Sequence, residues 1–387
     1  MSGLGAGERL ALLVEGFDPA RGGMERAVRA LAEALGRSGV PVEVYAPADR
    51  AGPDLTPPAR RIAVALPHLP RPLRAVRLAS ALAAAARRRS GARTVACGKL
   101  LGAELWWPHG GLHRAALAAR AAAGRGPAAA LGARALRALR PAEWAYLRLD
   151  GQNLAACARG AARAVALSAR VRGDLAAAGL DPTRVALVPN GVDPLGFAPP
   201  APAERQAARA ALQARAGAAP GAPLLLHLAH DPRLKGLDAL LRALPRLAAG
   251  HLVVAGGFDP RPWRRLAALH GVAARVTWLG AVADPRPLYR GADLLVHPTR
   301  YDPCSLVVLE ALACGLPALT SRHDGANELL LAAGAGEVLP EPDDAPALAA
   351  SLAGLLDPVR REALAARAVA FRRPWERVGQ ELLALLP

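Results

Sequence analysis

At 387 residues the chain is long enough for two or three domains, and with 52% hydrophobic but only 4% aromatic residues its cores must be mostly Leu, Val and Ala. No apolar run approaches the roughly 18 residues that span a bilayer, no export signal is visible, and Cys97, Cys157, Cys304 and Cys314 have neither disulfide-framework nor metal-ligand spacing, so a reducing, cytoplasmic setting is expected. The net charge of +17 is uneven, with 28 Lys and Arg against 14 Asp and Glu in residues 1–193 but 21 against 18 in residues 194–387, which points to an anionic partner for the first half.

The first strand is expected at Leu10–Val14. The loop after it carries Gly22 and Gly23, and a helix follows with Met24, Ala27, Val28, Leu31, Ala34 and Leu35 on one face. Gly39 ends that helix and Val42–Tyr45 reads as the next strand, which makes a βαβ unit, the building block of a parallel sheet. Further strands are expected at Ile62–Leu66, Thr94–Cys97 and Ala164–Leu167, and the Ala- and Arg-rich residues 112–148 read as helix broken near Gly124–Pro127. Pro and Gly cluster over residues 189–204 as in a linker. The second half repeats the alternation, with strands at Leu224–Ala229, His251–Ala255, Val276–Leu279, Leu294–His297 and Ala318–Thr320 and helices at Leu237–Leu247 and Ser305–Ala313. An α/β fold of two doubly wound, Rossmann-like domains facing a cleft follows, residues 1–193 and 194–372, with ligands at the carboxyl ends of strands. A last amphipathic piece, Trp375–Leu386 within residues 373–387, is expected to pack back on the first domain.

The stretch HPTRYDPCSLVVLEALACGLPALTS, residues 297–321, places Asp302 in a loop and Glu310 among Leu306, Val307, Val308, Leu309 and Leu312. A buried carboxylate needs a partner. Because a helix at Ser305–Ala313 follows directly on a strand and a Pro turn, the N–H groups near Ser305 and Leu306 offer a phosphate site. Glu310 then lies about 8 Å along the axis at 1.5 Å per residue. A nucleotide-sugar has a matching order, with sugar near Asp302, diphosphate at the helix end and ribose near Glu310. The same spacing also fits an Asp cap and a Glu paired to a core Arg.

The longer run from His297 to Leu330, ending SRHDGANELL, resembles the donor-binding signature of glycosyltransferase family 4, retaining enzymes of the GT-B fold, and within it the lipopolysaccharide core glucosyltransferases. The likeness extends to RGGMERAVRALAEALGRSGVPVEVYAP, VPNGVDPLGF and PLYRGADLLVHPT. The family carries Glu, seven residues, Glu. Asp302, one methylene shorter, holds the first place here and leaves the donor sugar open. The resemblance implies that Asp302 contacts donor-sugar hydroxyls, that Glu310 holds the ribose, and that the backbone amides of Ser305 and Leu306 hold the diphosphate. Lys235 falls at the family's Lys-Gly position, where a cation stabilises charge growing on the leaving group. His230 stands at the usual Arg position, and Arg233 is the candidate substitute. Gly22 and Gly23 are expected to face the donor phosphates and sugar, and His109 or His113 of PHGGLHRA the anomeric carbon. GLGAGE at residues 3–8 is not a dinucleotide fingerprint, because it precedes the strand and Glu8 replaces the third Gly.

The expected activity is transfer of a sugar from a nucleotide-sugar, with a UDP-hexose as donor, by front-face displacement in which the leaving phosphate helps deprotonate the acceptor. No Asp-x-Asp motif is present, so neither an obligatory metal nor a cofactor is expected. The basic first domain is expected to receive an anionic glycolipid or oligosaccharide, such as a lipopolysaccharide core, with the protein held peripherally at the inner face of the membrane. The alternatives are a soluble transferase or epimerase acting on a small sugar or metabolite, a non-catalytic sugar-nucleotide sensor, and a nucleic-acid-binding protein. The last lacks both base-stacking aromatics and a recognised binding module.

Overall fold

The computed structural model describes residues 4–5, 7–18, 22–50, 52–123 and 140–387, the Arg71 side chain excepted. The expected break near Gly124–Pro127 falls outside the described residues, as do positions 3 and 6 of the glycine-rich opening. The chain divides into two compact units, Met1–Gly191 with Arg373–Pro387, and Val192–Arg372.

The first unit is built on strands β1 (Arg9–Leu13), β2 (Val42–Pro47), β3 (Arg60–Val64), β4 (Ala92–Ala96), β5 (Leu105–Trp106), β6 (Arg163–Ala166) and β7 (Ala186–Leu187). They pair in the order β3-β2-β1-β4-β5-β6-β7, all parallel. Leu10–Val14 is fully buried, as a strand covered by helices on both faces must be. The helix Gly23–Arg37 buries Ala27, Val28, Leu31, Ala34 and Leu35, the face its periodicity specifies. The second unit has β8 (Leu224–Leu228), β9 (His251–Ala255), β10 (Val276–Gly280), β11 (Leu294–His297), β12 (Ala318–Ser321) and β13 (Gly336–Leu339) in the parallel order β10-β9-β8-β11-β12-β13. Strand order reverses between β1 and β4 in one sheet and between β8 and β11 in the other. Loops leaving the carboxyl ends there diverge and open a ligand site.

The structure departs from the sequence expectations in short elements. β5 and β7 have two residues each, too few to carry a pattern, and β13 opens on Gly336, whose backbone lies so close to the Ala318 carbonyl that a Cβ would fall 1.8 Å from it. The helix expected to reach Leu247 ends at Ala243 and tightens into a 3-10 turn, Leu244–Arg246, because Pro245 lacks the N–H to continue it. The expected linker ends early, since Pro202 opens the helix Pro202–Ala216. Among the described residues no helix is long and apolar enough to cross a membrane.

Arg373–Pro387 belongs to the first unit. The Arg373 guanidinium donates to the Pro189 and Asn190 carbonyls and pairs with Glu381 at 2.6 Å. The helix Trp375–Leu383 then lies on Gly23–Arg37, with Glu376 and Arg37 paired at 3.2 Å and the Gly379 backbone against Leu35. A Cβ on Gly379 would stand 2.3 Å from Leu35 Cδ2. Gly379→Ala should therefore destabilise the protein by about 1–3 kcal/mol in urea unfolding, through overpacking. Helix propensity alone predicts the opposite sign, about 1 kcal/mol of stabilisation, and an observed gain would rule the close contact out.

Candidate functional site

The loops after β8 and β11 are pressed together at the strand-order reversal of the second unit. Gly236 has φ +77°, and a Cβ there would lie 2.1 Å from the Pro298 carbonyl oxygen, so the residue after Lys235 must be glycine for the loops to touch. The Arg300 N–H and the Thr299 hydroxyl both donate to the Leu234 carbonyl, at 2.8 and 3.2 Å. The buried Arg300 guanidinium holds the Asp238 carboxylate with two bonds of 2.8 and 2.9 Å and also pairs with Asp343. Burial opposes charge on both partners. The two carboxylates nevertheless hold Arg300 protonated well above its ordinary range, and Arg300 keeps Asp238 below the ordinary carboxylate range.

This frame delivers Lys235 and Asp302 to one point. Lys235 Nζ lies 2.5 Å from Asp302 Oδ2 and 3.2 Å from the Tyr301 carbonyl. An ammonium has three N–H donors, so one remains for a ligand. The two side chains keep 18% and 17% of their surface exposed, enough for a ligand to reach the pair. Burial alone would raise the Asp302 carboxyl, but Lys235 and then His297 hold it well below its usual range. His297 is almost wholly buried, and its Nε2 stands 3.8 Å from Asp302 Oδ2, beyond hydrogen-bond reach.

The helix Leu306–Ala313 starts beside this pair. Expectation and structure part at its first amide. The Ser305 N–H already donates to Asp324 Oδ1 at 3.2 Å, and the Ser305 hydroxyl donates to Oδ2 at 2.7 Å. Asp324, fully buried after β12, also accepts the Ala326 N–H at 2.9 Å. Burial and the nearby Asp302 push its carboxyl up. Of the two amides expected to face phosphate, Ser305 is thus spent within the fold, while the Leu306 N–H belongs to the helix's first turn, which has no intrahelical acceptor.

Glu310 is buried, and Tyr289 Oη donates to its Oε2 at 2.7 Å. Tyr289 is itself fully buried, edge-on to Phe197 with centroids 6.0 Å apart. Arg233 and His230 are both exposed, and the Arg233 guanidinium lies 5.6 Å from the centre of the Trp263 ring.

In the first unit Gly22 caps the helix Gly23–Arg37 in extended conformation. A Cβ there would meet Glu25 Oε2 at 2.8 Å, so an acid of the chain itself covers this helix opening, where an anion had been expected. The two candidate histidines differ. The N–H of His113 donates to Asp150 Oδ2 at 2.6 Å, and its Nε2 bonds the Glu143 carboxylate. His109 packs edge-on against Trp107 with ring centroids 4.0 Å apart, and its buried Nε2 has no partner among the described residues. Burial pushes His109 down to about 3, leaving a neutral ring.

Sequence reasoning assigned no role to Tyr289, Asp324, Arg300 or His297, though the runs it singled out contain all four. Of these only His297, closing the apolar run of residues 294–296, stands out locally as a polar group among apolar neighbours.

Residues 21–194 match the family described as Glycosyltransferase Family 4, and residues 222–358 match Glycosyl transferases group 1. The D-inositol 3-phosphate glycosyltransferase of Xylanimonas cellulosilytica is 38% identical over 216 residues, 53% of this chain and 51% of that protein. The matched region thus spans about half the length of that relative. The crystal structure of WaaG, a glycosyltransferase involved in lipopolysaccharide biosynthesis, has a TM-score of 0.74 at 22% identity, covering 97% of this chain and 99% of WaaG. Anabaena HepE in complex with UDP-glucose has a TM-score of 0.64 at 18% identity, with 97% and 98% covered. Both share the fold, two parallel α/β sheets.

Another buried histidine contributes to the acid behaviour of the second unit. His227, on β8, bonds the Val296 carbonyl through Nδ1 at 2.8 Å, and burial pushes it from 6.5 down to about 3. A depressed histidine keeps its full stabilisation above the unfolded value and loses it as pH falls through the folded one. Stability should therefore decline from about pH 6.5 toward pH 3, at up to about 1.4 kcal/mol per pH unit for each such group. His227→Asn should flatten this limb in urea titrations taken across that range. An equally steep limb in the variant would exclude His227 as its source.

Proposed function

The chain belongs to the glycosyltransferases, family 4 in its first half and group 1 in its second, and on that premise we propose that it moves a hexose from a UDP-hexose to an acceptor hydroxyl with retention of configuration. The observation that carries this reading is the Lys235–Asp302 pair at the β8/β11 reversal, beside the opening of Leu306–Ala313. The uncommitted proton of Lys235 and the Leu306 amide take the diphosphate. Asp302 orients donor-sugar hydroxyls, and Glu310 accepts from the ribose. Arg233 assists from the rim. As the glycosidic bond breaks, negative charge gathers on the leaving phosphate, where a fixed ammonium is most effective. That phosphate oxygen takes the acceptor proton on the same face. The transfer requires no metal, and the HepE complex with UDP-glucose supports the donor class.

For the acceptor, we favour an anionic glycolipid at a membrane face, in keeping with the basic first half and the fold shared with WaaG. The helix Arg71–Arg87 adds exposed Leu73 and Val76 beside exposed Arg77, a face suited to an anionic bilayer. A second reading, a small soluble polyol phosphate, is favoured by the name of the Xylanimonas relative.

Slow hydrolysis of UDP-glucose by the purified protein, unaffected by a chelator, tests the reaction. Lys235→Ala should cut the turnover of the folded protein about a hundredfold, roughly 3 kcal/mol of barrier, and also lower stability, because Asp302 loses the partner that holds its carboxylate. Undiminished turnover would reduce Lys235 to a structural partner of Asp302. Glu310→Gln keeps the shape and an acceptor for Tyr289 but removes the charge, and should weaken UDP binding about tenfold in calorimetric titration. A large drop in melting temperature with unchanged UDP affinity would instead make Glu310 a purely structural carboxylate.

A further inference from the structure

Two buried histidines adjoin the Lys235–Asp302 pair, His227 on β8 and His297 at the end of β11, with ring centroids 6.1 Å apart and planes inclined at 29°. They are tied down differently. His227 Nδ1 stands 2.8 Å from the Val296 carbonyl, which can only accept, so Nδ1 carries the proton and the ring is anchored. The main chain of His297 is equally fixed, because its carbonyl accepts the Thr299 N–H at 2.7 Å and the Thr320 hydroxyl at 2.9 Å. Its ring is not. Neither Nδ1 nor Nε2 of His297 has a hydrogen-bond partner among the described residues. A buried polar atom without a partner calls for an explanation, and readiness to bond in another state of the site is one.

The geometry singles out the partner. His297 Nε2 is 3.8 Å from Asp302 Oδ2, the same oxygen that Lys235 Nζ holds at 2.5 Å. The gap is about 1 Å longer than a hydrogen bond, yet too short for a bridging water, which sets two polar atoms about 4.5 Å apart. An imidazole nitrogen that faces a carboxylate oxygen has to be the protonated one, since two lone pairs would repel. A turn of the unbonded ring is then enough to convert the approach into a bond. The carboxylate has room for it. Of its roughly four acceptor positions, the Cys304 N–H takes one on Oδ1 at 3.1 Å and Lys235 takes one on Oδ2. With His297 also on Oδ2, a position on Oδ1 stays open for a hydroxyl.

We propose that His297 is a positioning residue for sugar transfer: its Nε2–H closes on Asp302 Oδ2 as the Lys235 ammonium turns toward the leaving diphosphate, and so keeps the carboxylate aimed at the donor sugar. This rests on the glycosyl-transfer reading above. Phosphate oxygens compete with Asp302 for the ammonium, and they compete harder as the glycosidic bond breaks and charge gathers on them. A second donor on Oδ2 holds Asp302 in place through that change.

His297→Phe keeps a ring but removes the donor, whereas His297→Gln puts an amide N–H near the place of Nε2. UDP-glucose hydrolysis, calorimetric titration with UDP and thermal melts of both variants and the unaltered protein test the role. His297→Phe should lower kcat about tenfold, the scale of a hydrogen bond to a charged group, with UDP affinity unchanged. His297→Gln should restore most of that loss. Undiminished kcat in His297→Phe, a loss that His297→Gln shares in full, or a matching fall in UDP affinity would make His297 a space-filling residue and overturn the proposal. Should His297→Phe not fold, NMR spectra of the unaltered protein with isotope-labelled histidine rings decide. The ring N–H signal missing from His297→Gln should move downfield when UDP-glucose is added, and a signal that stays in place overturns the role. Absence of hydrolysis by the unaltered protein removes the transfer reading together with this role, while hydrolysis indifferent to His297 removes this role alone.

Discussion

The buried guanidinium of Arg300 is the constraint on which the second unit's site depends. It sits in the loop after β11 and holds Asp238, at the start of the helix after β8, with two parallel bonds. A buried cation is tolerated only when its donors are met, and the only geometry that meets them brings the two loops into contact. Gly236 then has to present bare backbone to Pro298, and Lys235, next to Gly236, and Asp302, two residues past Arg300, arrive 2.5 Å apart. The Lys235–Asp302 pair is positioned by a second, less accessible ion pair two to three residues away, so the tasks of locking the loops and of presenting charge at their surface fall to different residues.

What was legible in the sequence follows from the length of the pattern involved. β1, β2, β8, β9 and β11 are apolar runs bounded by breakers, and the helix Gly23–Arg37 shows its buried face over four turns. The two-residue β5 and β7 exist only through pairing with neighbours, which no local pattern encodes. The site shows the same division. Asp302, Glu310 and Lys235 stood out because charge in such settings needs a reason. Which groups would answer them did not, since Tyr289 reaches Glu310 from 21 residues away and Asp324 reaches Ser305 from 19. Ser305 is the instructive case. A helix start implies unpaired amides, but a buried aspartate on a neighbouring loop can consume one, and only the tertiary structure reveals it. The partner of His113, Glu143, is likewise 30 residues away in sequence.

The distribution of cations carries the argument one step further. Arginine serves this chain wherever several acceptors must be gathered at once. Arg275 donates to the carbonyls of Leu244, Leu247 and Gly250, Arg373 to those of Pro189 and Asn190 as well as Glu381, and Arg300 to two carboxylates. Each of these is a fixed fork closing a fixed gap, the task for which a planar group with five donors is suited. The chain's two lysines, Lys99 and Lys235, lie instead at the two strand-order reversals, where loops leaving the carboxyl ends of the strands diverge. A flexible stem with a point charge commits no rigid geometry to its partner. Drift in base composition would turn lysine into arginine without regard to place. That the exceptions fall at these two points indicates that the chemistry there, rather than the surrounding charge, sets the residue.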